Sequence, residues 1–146
     1  MGSVTNLFLK AGHGEPMMEV AAVTAISGKG FLGDASFGRI NRQVLLIDSE
    51  TLDAFGIRPG EVRENVTLKG FGLSDLAPED ELIIGEAVLA ITGDCAPCSQ
   101  LDDLRPGLRS DIQGNRGVLA RVVRGGELKL GDPVSLARGE PATSSP

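Results

Sequence analysis

The sequence predicts a mainly β domain, a sandwich or a barrel, with a few short helices. Short apolar runs of strand length recur along the whole chain and are separated by glycine-rich turns. The chain contains 20 glycines, which suits a fold whose bulges and corners need them. Long helical patterns do not alternate with the strands, which argues against a doubly wound parallel sheet.

The predicted elements follow one another at short intervals. The expected strands cover residues 7–9, 20–26, 43–47, 63–68, 81–84, 87–92, 118–123, 127–130 and 133–136. The turns at 85–86 and 124–126 are short enough to predict two hairpins. Asp48-Ser49-Glu50 is typical of a helix start and Gly56 of a helix end, so a short helix is predicted over 49–55. A second short helix is predicted over 98–104.

Size and composition indicate one soluble domain over residues 1–138, followed by a polar tail over 139–146 that we expect to be disordered. No apolar run approaches the roughly 20 residues of a membrane span, and the N-terminus lacks the pattern of a signal peptide. We therefore expect a cytoplasmic location and no membrane partner. The net charge of −6 and the absence of Trp and Tyr argue against nucleic-acid binding.

The only two cysteines lie in the run Cys95-Ala96-Pro97-Cys98, between a predicted strand and a predicted helix. A thiol at the start of a helix meets the positive end of the helix dipole, which favours the reactive thiolate. Cys98 is closer to the helix start than Cys95, and Pro97 fixes the approach of the backbone. Cys98 is therefore the better candidate for a working thiol, with Cys95 as a neighbour or resolving partner.

Three other interpretations of the cysteine pair are open. The two side chains could be buried and inert, or they could form a redox pair of thioredoxin type, although the βαβ pattern of that fold is missing. Zinc needs four ligands, and besides the two thiols the chain offers one histidine, His13, in a predicted surface turn. In a reducing compartment, two cysteines three positions apart favour thiol or metal chemistry over a structural disulfide.

The charged residues beside the other motifs suggest a site for a small anion. The chain has ten Arg and four Lys, and the planar fork of Arg matches phosphate and carboxylate. Arg42, Arg63 and Arg116 stand next to motifs that could line such a site. The Glu64-Asn65 pair at a predicted strand start either forms a structural clamp, with Glu64 bound to Arg42 or Arg116, or lines a cleft beside the thiol.

Six motifs follow one another over about residues 20–136: Gly33-Asp34, Arg42-Gln43-Val44, Glu64-Asn65-Val66, Pro97-Cys98-Ser99-Gln100-Leu101, Arg116-Gly117 and Gly131-Asp132-Pro133-Val134. Their order resembles that of the MOSC domain, which forms the C-terminal domain of molybdenum-cofactor sulfurases and also occurs as a stand-alone protein. The resemblance implies a β-barrel with a few short helices and one important cysteine, which matches Cys98. Many members have a His where this chain has Ser36, so one base or ligand is missing. The residues themselves predict that Asp34 forms a turn by bonding its own backbone.

The resemblance implies that Cys98 either carries sulfur or ligates the molybdenum of a molybdenum–pterin cofactor. We expect a stand-alone member in which Arg42, Glu64, Asn65 and Arg116 surround Cys98 and bind that cofactor or a small anion. The implied activity is sulfur transfer, or molybdenum-dependent reduction of N-hydroxylated compounds, independent of pyridoxal phosphate. The implied protein partners are a sulfur-donating desulfurase or a molybdoenzyme. A cofactor-binding module without turnover stays an alternative.

Overall fold

The structure, a computed structural model, describes residues 2–12, 15–73, 76–94, 106–108 and 117–137. It is mainly β, as predicted. Its strands are β1 Gly2–Lys10, β2 Met17–Val20, β3 Ala22–Ile26, β4 Gly30–Phe31, β5 Val44–Asp48, β6 Val66–Lys69, β7 Glu81–Ile84, β8 Ala87–Asp94, β9 Val118–Arg124, β10 Gly126–Lys129 and β11 Pro133–Leu136. Helix α1, Ser49–Ala54, lies wholly within these ranges.

Seven strands close into a barrel, in the order β11-β7-β8-β9-β5-β6-β1. The ring closes where β1 pairs with β11, with Gly2 opposite Val134. Neighbouring strands run antiparallel except β5 and β6, which are parallel, with Leu46 opposite Val66. β2 extends the sheet beyond β1, and β10, β3 and β4 form a separate three-stranded sheet. The barrel that the motif order implied is therefore confirmed.

The core explains why β5 is apolar without alternation. Val44 and Leu46 belong to the main cluster, whereas Ile47 belongs to a smaller cluster that also includes Leu52 of α1 and Leu108. Both faces of β5 are therefore covered, and a strand buried on both faces carries a continuous apolar run. This central strand fixes the position of the residues on either side of it.

Helix α1 begins and ends as the sequence predicts. The Asp48 carboxylate caps its N-terminus by accepting a hydrogen bond from the Thr51 N–H at 3.2 Å. Gly56 follows the helix with φ of 68°, a conformation that glycine adopts without strain. The second predicted helix, over 98–104, lies outside the described residues. No helix in the described ranges is long and apolar enough to cross a membrane.

Two predictions about how the strands connect are wrong. The strand predicted over 20–26 is interrupted at Ala21, and its halves pair with β1 and β10. The turn at 124–126 does not form a hairpin, because β9 pairs with β5 and β8 whereas β10 pairs with β3. The Gly125 N–H donates to the Ser27 hydroxyl at 2.8 Å, and this contact directs the chain from the barrel onto the second sheet. The hairpin between β7 and β8 forms as predicted.

Candidate functional site

Asp34 lies buried in the loop between β4 and β5 and joins three parts of the chain. Its Oδ2 accepts a hydrogen bond from the Ser36 N–H at 2.9 Å, which is the local turn that the sequence predicts. Its Oδ1 accepts from the Lys10 N–H at 2.7 Å and from Asn65 Nδ2 at 3.0 Å. The carboxylate therefore connects the end of β1, its own loop and the residue that precedes β6.

Asn65 is 4% exposed and bridges β1 and β5. Its Oδ1 accepts from the Leu45 N–H at 3.0 Å, and its Nδ2 donates to the Phe8 carbonyl at 3.2 Å as well as to Asp34. The amide group has two N–H donors, and both are used by protein acceptors. Asn65 therefore fixes neighbouring groups in place.

Glu64 is fully buried and braces the turn in which it lies. Its Oε2 accepts hydrogen bonds from the Gly60 N–H and from the Thr67 hydroxyl, both at 2.8 Å. A buried carboxylate is costly unless it is hydrogen-bonded, and these two donors offset part of that cost. Glu64 thus holds residues 60–67 as one unit, next to the Asn65 bridge.

Arg63, which directly precedes the Glu64-Asn65 pair, has an uncommon backbone conformation. Its φ is 65°, in the left-handed region, so the strand predicted from residue 63 in fact starts at Val66. The Arg63 guanidinium donates from Nη1 to the Glu15 carbonyl at 2.8 Å and from Nη2 to the Gly12 carbonyl at 3.4 Å. These bonds offset the strain and tie the turn after β1 to the start of β6.

Buried Gln43 fixes the loop that carries Arg39 and Arg42. Its Nε2 donates to the Arg39 carbonyl at 2.6 Å, and its Oε1 accepts from the Val122 N–H at 2.8 Å. On the other side of the loop, the Thr92 hydroxyl of β8 donates to the Asn41 carbonyl at 2.5 Å. The loop is therefore held between β9 and β8, the strand that leads towards the cysteines.

Three arginine side chains influence the charge of Lys10, whose backbone N–H donates to Asp34. Burial lowers the pKa of Lys10 below its ordinary value of 10.5, Asp34 partly opposes this shift, and Arg63, Arg39 and Arg42 lower the pKa further. These arginines act on Lys10 because they lie close to it. We call the four residues Lys10, Arg39, Arg42 and Arg63 the basic cluster.

The predicted site residues fall into two groups. Within the described ranges, Arg42 influences the charge of Lys10, Asn65 is bonded to Asp34, and Glu64 is bonded to Gly60 and Thr67. Cys98 and Arg116, together with Cys95 and His13, lie outside the described residues, so their convergence with the cluster stays a prediction. In the part of the chain that the structure describes, no three His, Cys, Asp or Glu side chains are placed to hold a metal.

The sequence interpretation missed Lys10, Arg39 and the structural role of Gln43. The signals were weak but present. Lys10 is a charged residue at the end of an apolar run, and Gln43 is a polar residue directly before another. Neither pattern shows that both residues are bonded to the loop between β4 and β5, Lys10 to Asp34 and Gln43 to the Arg39 carbonyl, because 32 residues separate them in the sequence.

The barrel and the motif order correspond to one family. The family model of the MOSC domain matches residues 33–135, and the chain belongs to the MOSC domain family. No curated protein matches the sequence significantly.

Solved structures share the fold at low sequence identity. The YuaD protein from Bacillus subtilis has a TM-score of 0.76 at 20% identity, over 92% of this chain and 94% of that one. YiiM from Geobacillus stearothermophilus has a TM-score of 0.74 at 20% identity, over 94% of this chain and 76% of that one. YiiM from Escherichia coli has a TM-score of 0.69 at 18% identity, over 93% of this chain and 70% of that one. These similarities concern the fold.

Proposed function

We propose that the Cys98 thiolate of this MOSC domain carries sulfur, or ligates molybdenum in a pterin cofactor whose anionic part is held by the basic cluster. The observation that carries the proposal is the hydrogen bond from Thr92 to Asn41. It attaches the loop of Arg39 and Arg42 to β8, six residues before Cys98. The loop that carries Arg39 and Arg42 is therefore bonded to the strand that precedes Cys98 in the sequence, which supports a shared role.

Chain length supports this proximity. β8 ends at Asp94, and Cys98 follows four positions later. Four residues span at most about 14 Å when fully extended. Thr92, near the end of β8, is bonded to the loop that carries Arg39 and Arg42.

The residues of the site fit an anionic group. Arg39 and Arg42 are exposed and present guanidinium groups, which bind phosphate or carboxylate through paired N–H donors. Asn65 has its amide donors committed to protein acceptors, so we assign it to positioning Asp34 and not to contact with the ligand. When bound, the cofactor would supply oxygen- and electron-transfer chemistry at molybdenum, with Cys98 as its protein ligand. Arg116 would act as a further cation.

The sulfur-carrier role needs one balanced step. The Cys98 thiolate attacks the outer sulfur of a donor persulfide, such as that of a desulfurase. A sulfur–sulfur bond forms at Cys98 while the donor's sulfur–sulfur bond breaks, and the electron pair leaves on the donor sulfur as a thiolate. The basic cluster would attract the anionic acceptor to the loaded thiol.

The test is mass spectrometry and molybdenum analysis of the protein purified from its own host, with Cys95→Ser and Cys98→Ser compared. We expect a persulfide mass or bound molybdenum in the parent protein and in Cys95→Ser, and neither in Cys98→Ser. Arg42→Gln should reduce molybdenum retention. Arg58→Gln is its matched control, because Arg58 is 86% exposed and paired with Glu61.

Two outcomes would contradict the proposal. If Cys95→Ser and Cys98→Ser lost persulfide or molybdenum equally, and the parent protein reduced disulfides in the presence of a dithiol, the cysteine pair would be assigned to redox chemistry. Retention of sulfur or molybdenum by Cys98→Ser would exclude Cys98 as the working thiol.

A further inference from the structure

We propose that the chain has a second binding site, a cleft on the outside of the barrel that takes a small zwitterion with an apolar side chain, such as a free apolar α-amino acid. The cleft has a volume of about 460 Å³ and lies where the turn between β7 and β8 meets the junction of β9 and β10. Small-molecule sites ordinarily have volumes in this range. We call it the hairpin cleft, and it does not depend on the proposed role of Cys98.

The floor of the hairpin cleft is apolar, although it faces outward. Ile83 of β7 lies opposite Val88 of β8, and Val88 lies opposite Arg124 of β9, so these three residues form one row across the outside of the barrel. Outward positions of an antiparallel sheet are ordinarily polar. Ile83 is nevertheless 40% exposed, which leaves apolar surface that a ligand can remove from water.

Two exposed side chains of opposite charge line the hairpin cleft. Glu86 lies in the turn between β7 and β8, and Arg124 is the last residue of β9. No ion pair joins these two described residues, so neither neutralises the other. A ligand that carries both charges would place its carboxylate against the Arg124 guanidinium and its ammonium group against the Glu86 carboxylate. The charges of the cleft therefore favour a zwitterion over a simple anion or cation.

The Glu86 carboxylate is held in place before a ligand arrives. Its Oε1 accepts a hydrogen bond from the Glu127 N–H at 3.1 Å, and the Glu86 N–H donates to the Glu127 carbonyl at 3.2 Å. Gly126 allows this close approach, because a Cβ there would lie 2.7 Å from the Glu86 carbonyl oxygen. Since the carboxylate is already ordered, less of the interaction free energy is lost to ordering when a ligand binds.

The hairpin cleft and the candidate functional site lie towards opposite ends of β8. Val88 is the second residue of this strand, whereas Thr92, which is bonded to the loop at Asn41, lies four residues later, and Asp94 ends the strand. A strand rises about 3.3 Å per residue, so about 20 Å separate Val88 from Asp94. The hairpin cleft is therefore separate from the site that we propose for the cofactor.

The experiment is an NMR titration of the full chain with L-leucine, followed through the backbone amide resonances. We expect saturable shifts at residues 83–88 and 124–126, with a Kd below about 1 mM. Leucinamide lacks the carboxylate and 4-methylpentanoate lacks the ammonium group, so each should bind at least about tenfold more weakly, the effect of losing one charge-assisted contact. Glycine lacks the apolar side chain and should also bind at least about tenfold more weakly.

Single substitutions test the two charged residues. Arg124→Gln and Glu86→Gln should each weaken leucine binding by about tenfold. The Gln amide oxygen can still accept from the Glu127 N–H, so Glu86→Gln removes the charge and keeps the turn. Arg121→Gln is the matched control for Arg124→Gln, because Arg121 lies on the same strand, does not line the cleft and pairs with Glu79. It should bind leucine like the parent protein.

Three results would overturn the assignment of the hairpin cleft. The first is that leucine shifts none of the amides at residues 83–88 and 124–126. The second is that Arg121→Gln weakens leucine binding as much as Arg124→Gln does. The third is that leucinamide or 4-methylpentanoate binds as tightly as leucine. Cys98→Ser should bind leucine like the parent protein, so failure of the proposed function would leave this site unaffected.

Discussion

Asn65→Ala should destabilise the barrel strongly. The Asn65 side chain is 4% exposed and makes hydrogen bonds to the Leu45 N–H, the Phe8 carbonyl and the Asp34 carboxylate. Truncation leaves these partners without the amide, and each buried polar group left unpaired costs about 1–3 kcal/mol. With partial compensation by water, we expect a loss of about 3 kcal/mol in the free energy of unfolding, measured by urea denaturation.

Asn6→Ala is the matched control, because Asn6 donates to Glu19 in an exposed setting. It should change the free energy of unfolding by less than about 0.5 kcal/mol. Asn65→Asp should place a second carboxylate against Asp34 and destabilise the fold more at neutral pH than at acidic pH, where protonation relieves the repulsion. Equal, small effects of Asn65→Ala and Asn6→Ala would refute the bridging role of Asn65.

Three further expectations follow from other contacts. Gly117→Ala should lower the free energy of unfolding by about 2–4 kcal/mol, because φ is 109° and a Cβ there would lie 2.5 Å from the Leu46 carbonyl oxygen of β5. Gly72→Ala is the control and should leave the free energy of unfolding nearly unchanged, because the space around Gly72 is open. Lys10→Met should stabilise the protein at neutral pH, since a lowered Lys pKa means that the folded state disfavours the charge. The difference in free energy of unfolding between Lys10→Met and the parent protein should shrink as the pH rises towards 10.5. A difference that does not change with pH would contradict this prediction. Thr92→Val should reduce molybdenum retention by freeing the loop at Asn41, whereas unchanged retention would show that this bond does not position Arg39 and Arg42 for the cofactor.

Much of the fold was predictable because local patterns determine it. The apolar runs located nearly all the strands, and Asp48 and Gly56 located α1. The failures occurred where a distant contact decides the path of the chain. The turn at 124–126 looks like a hairpin in sequence, but Gly125 is bonded to Ser27, a partner 98 residues away. Such contacts leave no periodic signal in the sequence.

The site was predictable in part. The motif order pointed to Arg42 and to Asn65. The Asn65 side chain, however, donates its hydrogen bonds to the Phe8 carbonyl and to Asp34. Lys10 was not recognisable, because its environment is made by residues from three separate segments. Arg63 shows the same limit, since its left-handed backbone is stabilised by carbonyls of a turn about 50 residues earlier.

The most direct test of the central claim is the alkylation rate of each thiol as a function of pH. Cys95→Ser, which keeps Cys98, should react rapidly at neutral pH, with a midpoint below the free thiol value of about 8.5. Cys98→Ser, which keeps Cys95, should react more slowly and show a higher midpoint. Faster reaction of the protein that keeps only Cys95 would contradict the assignment of Cys98 as the working thiolate.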